Sequence, residues 1–278
     1  MSQKRVGLIG NPVQHSLSPV FQQVAFDAAG INTTYELWQT EDDQLPDAIN
    51  RLRAPEFFGA NVTVPHKPAA CEHVDELSER ARRAGALNTI INRDGHLVGD
   101  NTDIPGFRAP LEHRSFPLES ATVVVLGAGG AARGVVVSLL EAGCPSITVA
   151  NRTVERAETL RDQLDPAINV VSLGEDLTAT LHDAQMLVNS TSMGWSEDDL
   201  PINRDQLALL HSGAIVYDLT YRQTAFLRIA AAAGFETIDG LPMLVHQGAE
   251  SFRLWTGKDA PIDAMWEAAV AGRAERES

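Results

Sequence analysis

The stretch TVVVLGAGGAAR, residues Thr122 to Arg133, decides the fold. Its first five residues, Thr122 to Leu126, include four Val or Leu and show no polar alternation. A short β-branched run of that kind reads as a strand buried on both faces, as in a parallel sheet. Gly127, Ala128, Gly129, Gly130 and Ala131 follow, and then an apolar helical pattern from Val135 to Leu140. Strand, glycine turn and helix in that order form the dinucleotide-binding fingerprint. A pyrophosphate must rest on backbone N–H groups at a helix N-terminus, and a Cβ there would hold it away. Gly127 is expected to make the turn, Gly129 to allow close approach, and Ala132 to permit tight helix–strand packing.

About 20 residues on, a second strand should end in the residue that meets the adenosine ribose. Ser146 to Ala150 is that strand, and Asn151, Arg152 and Thr153 follow, with Arg156 one turn later. The acidic residue that would accept from an NAD ribose hydroxyl is missing, and an arginine stands in its place. A guanidinium fork suits a 2′-phosphate, so the pattern favours NADP over NAD. Arginines that are merely solvated surface charges would look the same at this level.

The 278 residues are enough for one large or two medium domains. Apolar residues make up 44%, so a sizeable core can form. The net charge is −15, which argues against nonspecific nucleic-acid binding and requires local positive charge wherever an anion is held. Cys71 and Cys144 have neither zinc spacing nor disulfide density, which fits a reducing cytoplasm. The N-terminus does not resemble a signal peptide, and no apolar run approaches the ~20 residues of a membrane span. The histidines show no metal-site spacing, so no metal is expected.

Ahead of the glycine motif the pattern alternates strands and helices, an α/β domain. Lys4 to Gly10 is the first strand, and Pro19 opens a helix for which Ser18 is the expected N-cap. Ser16 and Ser18 lie two apart at this strand-to-helix turn, where both hydroxyls can face one cleft and hydrogen-bond a carboxylate or a sugar-like hydroxyl. Phe57 to Val64 is a strand, and a helix toward Leu77 is expected after it. Lys67 stands at the C-terminal end of that strand, where α/β sheets place ligands. Asp94-Gly95 predicts a hairpin between Leu87–Ile91 and His96–Gly99. Asp103 opens the next helix, where capping would be its plain structural role. After the second Rossmann strand, further βα units lead to Asn189–Gly194, small residues suited to lying against a cofactor.

Eight motifs taken together resemble the shikimate dehydrogenase family over nearly the whole chain. They are SLSP at Ser16–Pro19, NVTVPHK at Asn61–Lys67, LNT at Leu87–Thr89, DNTD at Asp100–Asp103, GAGGAAR at Gly127–Arg133, NRT at Asn151–Thr153, NSTSMG at Asn189–Gly194 and MLVHQGAESF at Met243–Phe252. The resemblance implies an N-terminal three-layer α/β substrate domain, a Rossmann NADP-binding domain, and a cleft between them. Residues 1–104, completed by helices in 242–278, would form the first domain, and residues 105–241 the second. It implies reversible NADPH-dependent reduction of 3-dehydroshikimate to shikimate, in the cytoplasm, by a monomer or homodimer.

The same resemblance distributes roles among residues. Ser16 and Ser18 would bind the shikimate carboxylate, with Tyr221 lining the pocket nearby. Asn61, Thr63, Asn88 and Gln247 would bind the hydroxyls, and Lys67 and Asp103 would form the catalytic pair. Arg152, Thr153 and Arg156 would meet the 2′-phosphate, with Asn151 beside them. Thr191, Met193, Leu219, Gly240 and Met243 would line the rest of the cofactor's path. Two departures from the family pattern stand out: Tyr221-Arg222-Gln223, where Tyr-Asn-Pro is usual, and the bulky Trp195 after NSTSMG. Three alternatives compete: a quinate/shikimate dehydrogenase of dual specificity, a methylene-tetrahydrofolate dehydrogenase, and a non-catalytic shikimate-sensing protein. DNTD, SLSP and MLVHQGAESF speak against the second, and the joint presence of Lys67 and Asp103 against the third.

Overall fold

A computed structural model describes residues 3–194 and 196–277, apart from the side chain of Glu175. The chain divides into two compact units, Met1–Ala109 with Met243–Ser278, and Pro110–Pro242.

The first unit contains β1 (Lys4–Gly10), α1 (Ser18–Ala28), β2 (Thr33–Gln39), α2 (Leu45–Asn50), β3 (Phe57–Val62), β4 (Glu76–Leu77), α3 (Glu79–Ala84), β5 (Thr89–Arg93), β6 (His96–Asp100) and the start of α4 (Asp103–His113). Its sheet runs β2-β1-β3-β5-β6-β4. β1 pairs parallel with β2 and β3, whereas β5 runs antiparallel to both β3 and β6. Both faces are covered. On one, Leu45 and Ile49 of α2 and Ala81 of α3 join Ile9, Ala60, Val62 and Ile90 in a single apolar cluster, against which Trp38 packs. On the other, Phe26 of α1 stacks against Phe252 and Trp255, and Trp255 also meets Tyr35. Tyr35 and Trp38 are three apart on β2, so their side chains must leave the sheet on opposite faces. The late helices α10 (Leu241–Thr256) and α11 (Ile262–Glu277) supply this second layer, with α11 burying Met265, Ala269 and Gly272.

The second unit holds β7 (Thr122–Leu126), α5 (Gly130–Glu141), β8 (Ser146–Asn151), α6 (Val154–Leu164), β9 (Asn169–Ser172), α7 (Glu175–Leu181), β10 (Met186–Asn189), α8 (Arg204–Leu207), β11 (Ile215–Asp218), α9 (Ala225–Ala232) and β12 (Glu236–Ile238). Its six strands lie in the order β12-β11-β10-β7-β8-β9, and every pair is parallel. That is the doubly wound order whose direction reverses beside β7, the position where such sheets hold ligands. Val123 to Leu126 are wholly buried, in keeping with their unbroken apolar run.

Three local expectations need correction. No long helix follows Lys67: a short 3₁₀ segment, Ala69–His73, leads into the two-residue strand β4. Asp75 draws this segment to the sheet, since its N–H donates to the Leu97 carbonyl and its carboxylate accepts the Leu97 N–H and the Arg53 guanidinium. The helix comes later as α3, with Ser78 accepting from the Ala81 N–H and Gly85 in the left-handed region behind it. Ser18 does not cap α1: the helix starts on Ser18 itself, and the Ser16 hydroxyl accepts the Ser18 N–H at 3.2 Å. Asp103 likewise begins α4, its own N–H donating to the Asn101 side chain at 3.2 Å, and its carboxylate is free for other use. The Asp94-Gly95 hairpin forms as its residues demand, both at positive φ.

Candidate functional site

In the first unit the candidate residues converge at the C-terminal end of β3. His66 is buried and its Nε2–H donates to the Thr40 carbonyl at 2.7 Å, fixing the turn after the strand. The next residue's carbonyl accepts the Leu87 N–H at 3.0 Å, tying Lys67 to the approach to β5. From this doubly held backbone, Lys67 Nζ donates to Asp103 Oδ2 at 2.6 Å. The two side chains are 16% and 9% exposed, so the pair is largely withdrawn from water yet reachable.

Asn88 sets the orientation of the carboxylate. Its Oδ1 accepts the Thr102 backbone N–H at 2.7 Å. A backbone N–H can only donate, so the amide nitrogen must face the other way. There Nδ2 donates to Asp103 Oδ1 at 2.9 Å. Each oxygen of Asp103 thus has its own donor, and the DNTD turn is locked from both sides. Behind it, Asp100 accepts from Arg80 Nη2 at 2.7 Å and from the Ser78 hydroxyl at 2.6 Å. Burial alone would push the Asp100 carboxyl up, but these hydrogen bonds outweigh it and hold it below the ordinary range. Arg80 reaches Glu250 of α10 as well, so one guanidinium joins α3, β6 and α10.

Asn61 and Gln247 enter the same network. Asn61 Oδ1 accepts the Tyr35 hydroxyl at 2.8 Å, and its Nδ2 lies 3.1 Å from both Thr89 Oγ1 and Ser251 Oγ. Gln247 Oε1 is 3.3 Å from Asn88 Nδ2, while its own amide donates to the Leu244 carbonyl at 2.7 Å. Ser16 and Ser18 form a pair, Oγ to Oγ 3.1 Å. Tyr35 connects that pair to the rest: it hydrogen-bonds Ser18 as well as Asn61, and burial pushes its phenol far up. Thr63 is half-buried, with its methyl turned toward Gly10 and no hydrogen bond from its hydroxyl to the cluster among the described residues. Met243 is buried near the start of α10.

Sequence reasoning missed Tyr35, Thr89, Thr102, Ser251 and Arg80. Ser251 and Thr102 lie inside quoted motifs, but only the fold shows that Ser251 Oγ stands 2.8 Å from Thr89 Oγ1 and 3.1 Å from Thr102 Oγ1. Tyr35 and Arg80 lie outside every motif and had no signal beyond their residue type.

In the second unit the candidates line the C-terminal ends of five adjacent strands, β8, β7, β10, β11 and β12. Gly127 sits at φ +104°, and a Cβ there would come 2.7 Å from Ser190 Oγ. Gly129 precedes α5 with no side chain capping the helix, and a Cβ on Gly129 or Gly130 would meet nothing within 4 Å. Among the described residues, nothing thus caps the start of this 12-residue helix or crowds its two glycines, an arrangement suited to receiving a phosphate. Ala128 and Ala131 are half-buried beside them. Asn151 Nδ2 donates to the Thr153 carbonyl at 2.7 Å and shapes the turn beyond β8. Arg152, Thr153 and Arg156 are exposed there, and neither guanidinium has an ion pair among the described residues.

The buried Asn189 orders the next loop. Its Oδ1 accepts from the Thr191 N–H and hydroxyl, and its Nδ2 donates to the Met193 carbonyl at 2.9 Å. Leu219 N–H reaches across to the Asn189 carbonyl, and Gly240 packs so closely on Leu219 that a Cβ would fall 2.0 Å from its carbonyl oxygen. Thr191, Met193, Leu219 and Gly240 thus share one edge of this sheet. Tyr221 is half-buried on the loop after β11. Trp195 lies outside the described residues.

The second unit's strand order and glycine-rich helix start define a Rossmann fold, joined in one chain to a unit bearing a lysine–aspartate pair. Family models match both: a shikimate dehydrogenase substrate binding domain over residues 8–90, a shikimate/quinate 5-dehydrogenase domain over 111–197, and a shikimate 5′-dehydrogenase C-terminal domain over 240–270. A shikimate dehydrogenase (NADP(+)) of Moorella thermoacetica is 43% identical over 269 residues, 94% of this chain and 90% of that one. That of Symbiobacterium thermophilum is 40% identical over 274 residues, 96% and 93% of the two chains. The crystal structure of the Thermus thermophilus enzyme in complex with NADP(H) and shikimate matches with TM-score 0.88 at 39% identity, covering 97% of this chain and all of that one. The chain belongs to the shikimate dehydrogenase family.

Proposed function

We propose that this protein is an NADP-dependent shikimate dehydrogenase, reversibly reducing 3-dehydroshikimate to shikimate on the route to chorismate and the aromatic amino acids. The observation that carries the reading is the 2.6 Å contact of Lys67 with Asp103, set where Asn88 and Gln247 converge. NADPH, when bound, supplies a hydride to the C3 carbonyl carbon. The residues present fit that cofactor: an uncapped, unobstructed helix start for the pyrophosphate, and two exposed arginines, Arg152 and Arg156, for the 2′-phosphate.

The ketone oxygen gains negative charge as it is reduced. The Lys67 ammonium stabilises that charge and then gives up a proton to the alkoxide. Asp103 keeps the ammonium aimed and hydrogen-bonds the resulting hydroxyl. In the oxidative direction the neutral amine of Lys67 takes the proton back. Ser16 and Ser18 hold the carboxylate, with Tyr221 assigned to the same side. Asn61, Thr63, Asn88 and Gln247 hold the ring hydroxyls. Thr191, Met193, Leu219, Gly240 and Met243 are assigned to the cofactor's remaining contacts. The free thiols of Cys71 and Cys144 suit a cytoplasmic site of action. Each chain carries both units, so a monomer and a homodimer would serve equally.

The test is initial-rate NADPH or NADH formation with shikimate or quinate and NADP or NAD in all four pairings. Rapid turnover only with shikimate and NADP is expected. Comparable rates with quinate would move the protein to dual specificity, and shikimate binding without turnover to a sensing role.

A further inference from the structure

We propose that Arg276, on the last turns of α11, is a specificity residue that provides the positive charge for the substrate carboxylate and holds the serine turn that receives it. The inference rests on the shikimate reading above. Ser16 and Ser18 offer only neutral hydroxyls, and the stretch from Gly10 to Gln23 contains no lysine or arginine. In a chain of net charge −15, an anion held there needs a cation from elsewhere.

The fold brings one from more than 250 residues away. Arg276 Nη1 donates to the His15 carbonyl, and Nη2 donates to the Ser16 carbonyl at 2.9 Å. A planar guanidinium spanning two successive carbonyls is fixed in direction as well as in place. The register of α11 against α1 sets this contact. Gly272, one turn earlier, lies so close to Leu17 and Val20 that an added Cβ would stand 3.2 Å from Val20 Cγ1 and 3.4 Å from Leu17 Cδ2. A larger residue there would lift the helix and carry Arg276 off the turn.

With its backbone so held, Ser16 Oγ accepts the Ser18 N–H and lies 3.1 Å from Ser18 Oγ, which leaves both hydroxyls side by side. Bond lengths place a carboxylate bound to them roughly 7–10 Å from the guanidinium carbon. At that separation, with an effective dielectric between about 20 and 80, one charge pair is worth about 2- to 50-fold in binding.

The experiment compares wild type, Arg276→Ala and Arg276→Lys with two ligands, shikimate and its uncharged methyl ester, at low and moderate salt. In Arg276→Ala at low salt the KM for shikimate should rise at least twofold, with kcat nearly constant and the KM for NADP unchanged. Turnover of the ester, kcat/KM, which feels only the loosened turn and not the lost charge, should fall distinctly less than that of shikimate. Arg276→Lys keeps the charge and should recover most of the shikimate KM. A smaller rise, or equal losses for ester and shikimate, would overturn the proposal, because a purely structural arginine would not distinguish the two ligands. Should wild type fail to oxidise shikimate at all, the activity reading itself falls, and this is seen before any variant is compared.

Discussion

Replacing Lys67 by alanine should abolish most turnover while leaving substrate affinity nearly intact. Nζ lies 2.6 Å from Asp103 Oδ2 in a site largely shielded from water, so no solvent molecule can stand in at equal strength. A positioned proton donor contributes roughly 10²–10⁴-fold. Loss of a fixed positive charge beside the growing alkoxide adds about another tenfold or more. The expected drop in kcat is therefore about 10³–10⁵-fold, or about 4–7 kcal/mol of transition-state stabilisation. KM for shikimate should change by less than about threefold, because the serine turn and the Asn61, Asn88 and Gln247 amides are untouched. Asp103→Asn should cost about 10²–10³-fold. Since the two side chains act as one unit, the double variant should be no slower than Lys67→Ala alone, a strongly non-additive result. The fold offers a second reading of the same variants. Lys67→Ala leaves Asp103 Oδ2 without its cation while Oδ1 keeps Asn88, so Tm should fall, and adding Asp103→Asn should restore it. Initial rates of NADPH formation and thermal melts of all four proteins decide the matter. Additive rate losses, or a change confined to KM, would refute the assigned role.

Converting Arg152 to Asp together with Arg156 to Ala should reverse cofactor preference, since two charge-assisted contacts at roughly 1.5–3 kcal/mol each amount to about 10²-fold or more; kcat/KM with NADP and NAD measures it, and a retained NADP preference would place the specificity elsewhere. Gly127→Ala should raise the KM for NADP and lower the melting temperature of the second unit, because φ +104° costs an L-residue about 1–3 kcal/mol and the new methyl would press on Ser190 Oγ; unchanged binding and melting would contradict it. Arg80→Met should destabilise by about 1–3 kcal/mol and alter the acid limb of stability. Asp100 titrates below its ordinary value in the folded chain with Arg80 among the donors holding it there, so its stabilisation is present above about pH 4 and lost as pH falls below it, whereas Glu250 is held down chiefly by Arg253 and keeps most of its share in the variant. Melting temperature against pH should therefore drop steeply below pH ~4 in wild type and less steeply in the variant, and parallel curves would show that Arg80 does not set it.

The parts of the fold that were legible are those whose signal is local. An unbroken Val–Leu run, a glycine at positive φ and an Asp-Gly turn each dictate their own geometry, and β7, Gly127 and the β5–β6 hairpin follow directly. What misled was competition between local and distant partners. Ser18 looks like a helix cap because serine usually is one, yet its neighbour Ser16 supplies the oxygen while Ser18 turns toward Tyr35. The helix expected after Lys67 gives way to a sheet edge because Asp75 finds Leu97 and Arg53, partners 22 residues away in either direction. For the site, the motifs named the residues at its centre, Lys67, Asp103, Asn88 and Gln247. They could not name what orients that centre, since Ser251, Tyr35 and Arg80 act through side-chain hydrogen bonds that exist only once separate segments have met.

The first unit is built from two pieces of chain with the whole second unit between them. On the ribosome this fixes an order of events. Pro110–Pro242 is continuous and can fold as soon as it has emerged, whereas the earlier half of the first unit must wait for α10 and α11. At about 5–20 residues per second, the roughly 140 residues separating Asp103 from Gln247 take on the order of 7–30 s to make. Throughout that interval the sheet face later covered by Phe252 and Trp255 is bare, and Asn61 lacks Ser251. The nascent chain is thus most exposed to aggregation and to chaperone capture just before the helix that completes the candidate site is synthesised.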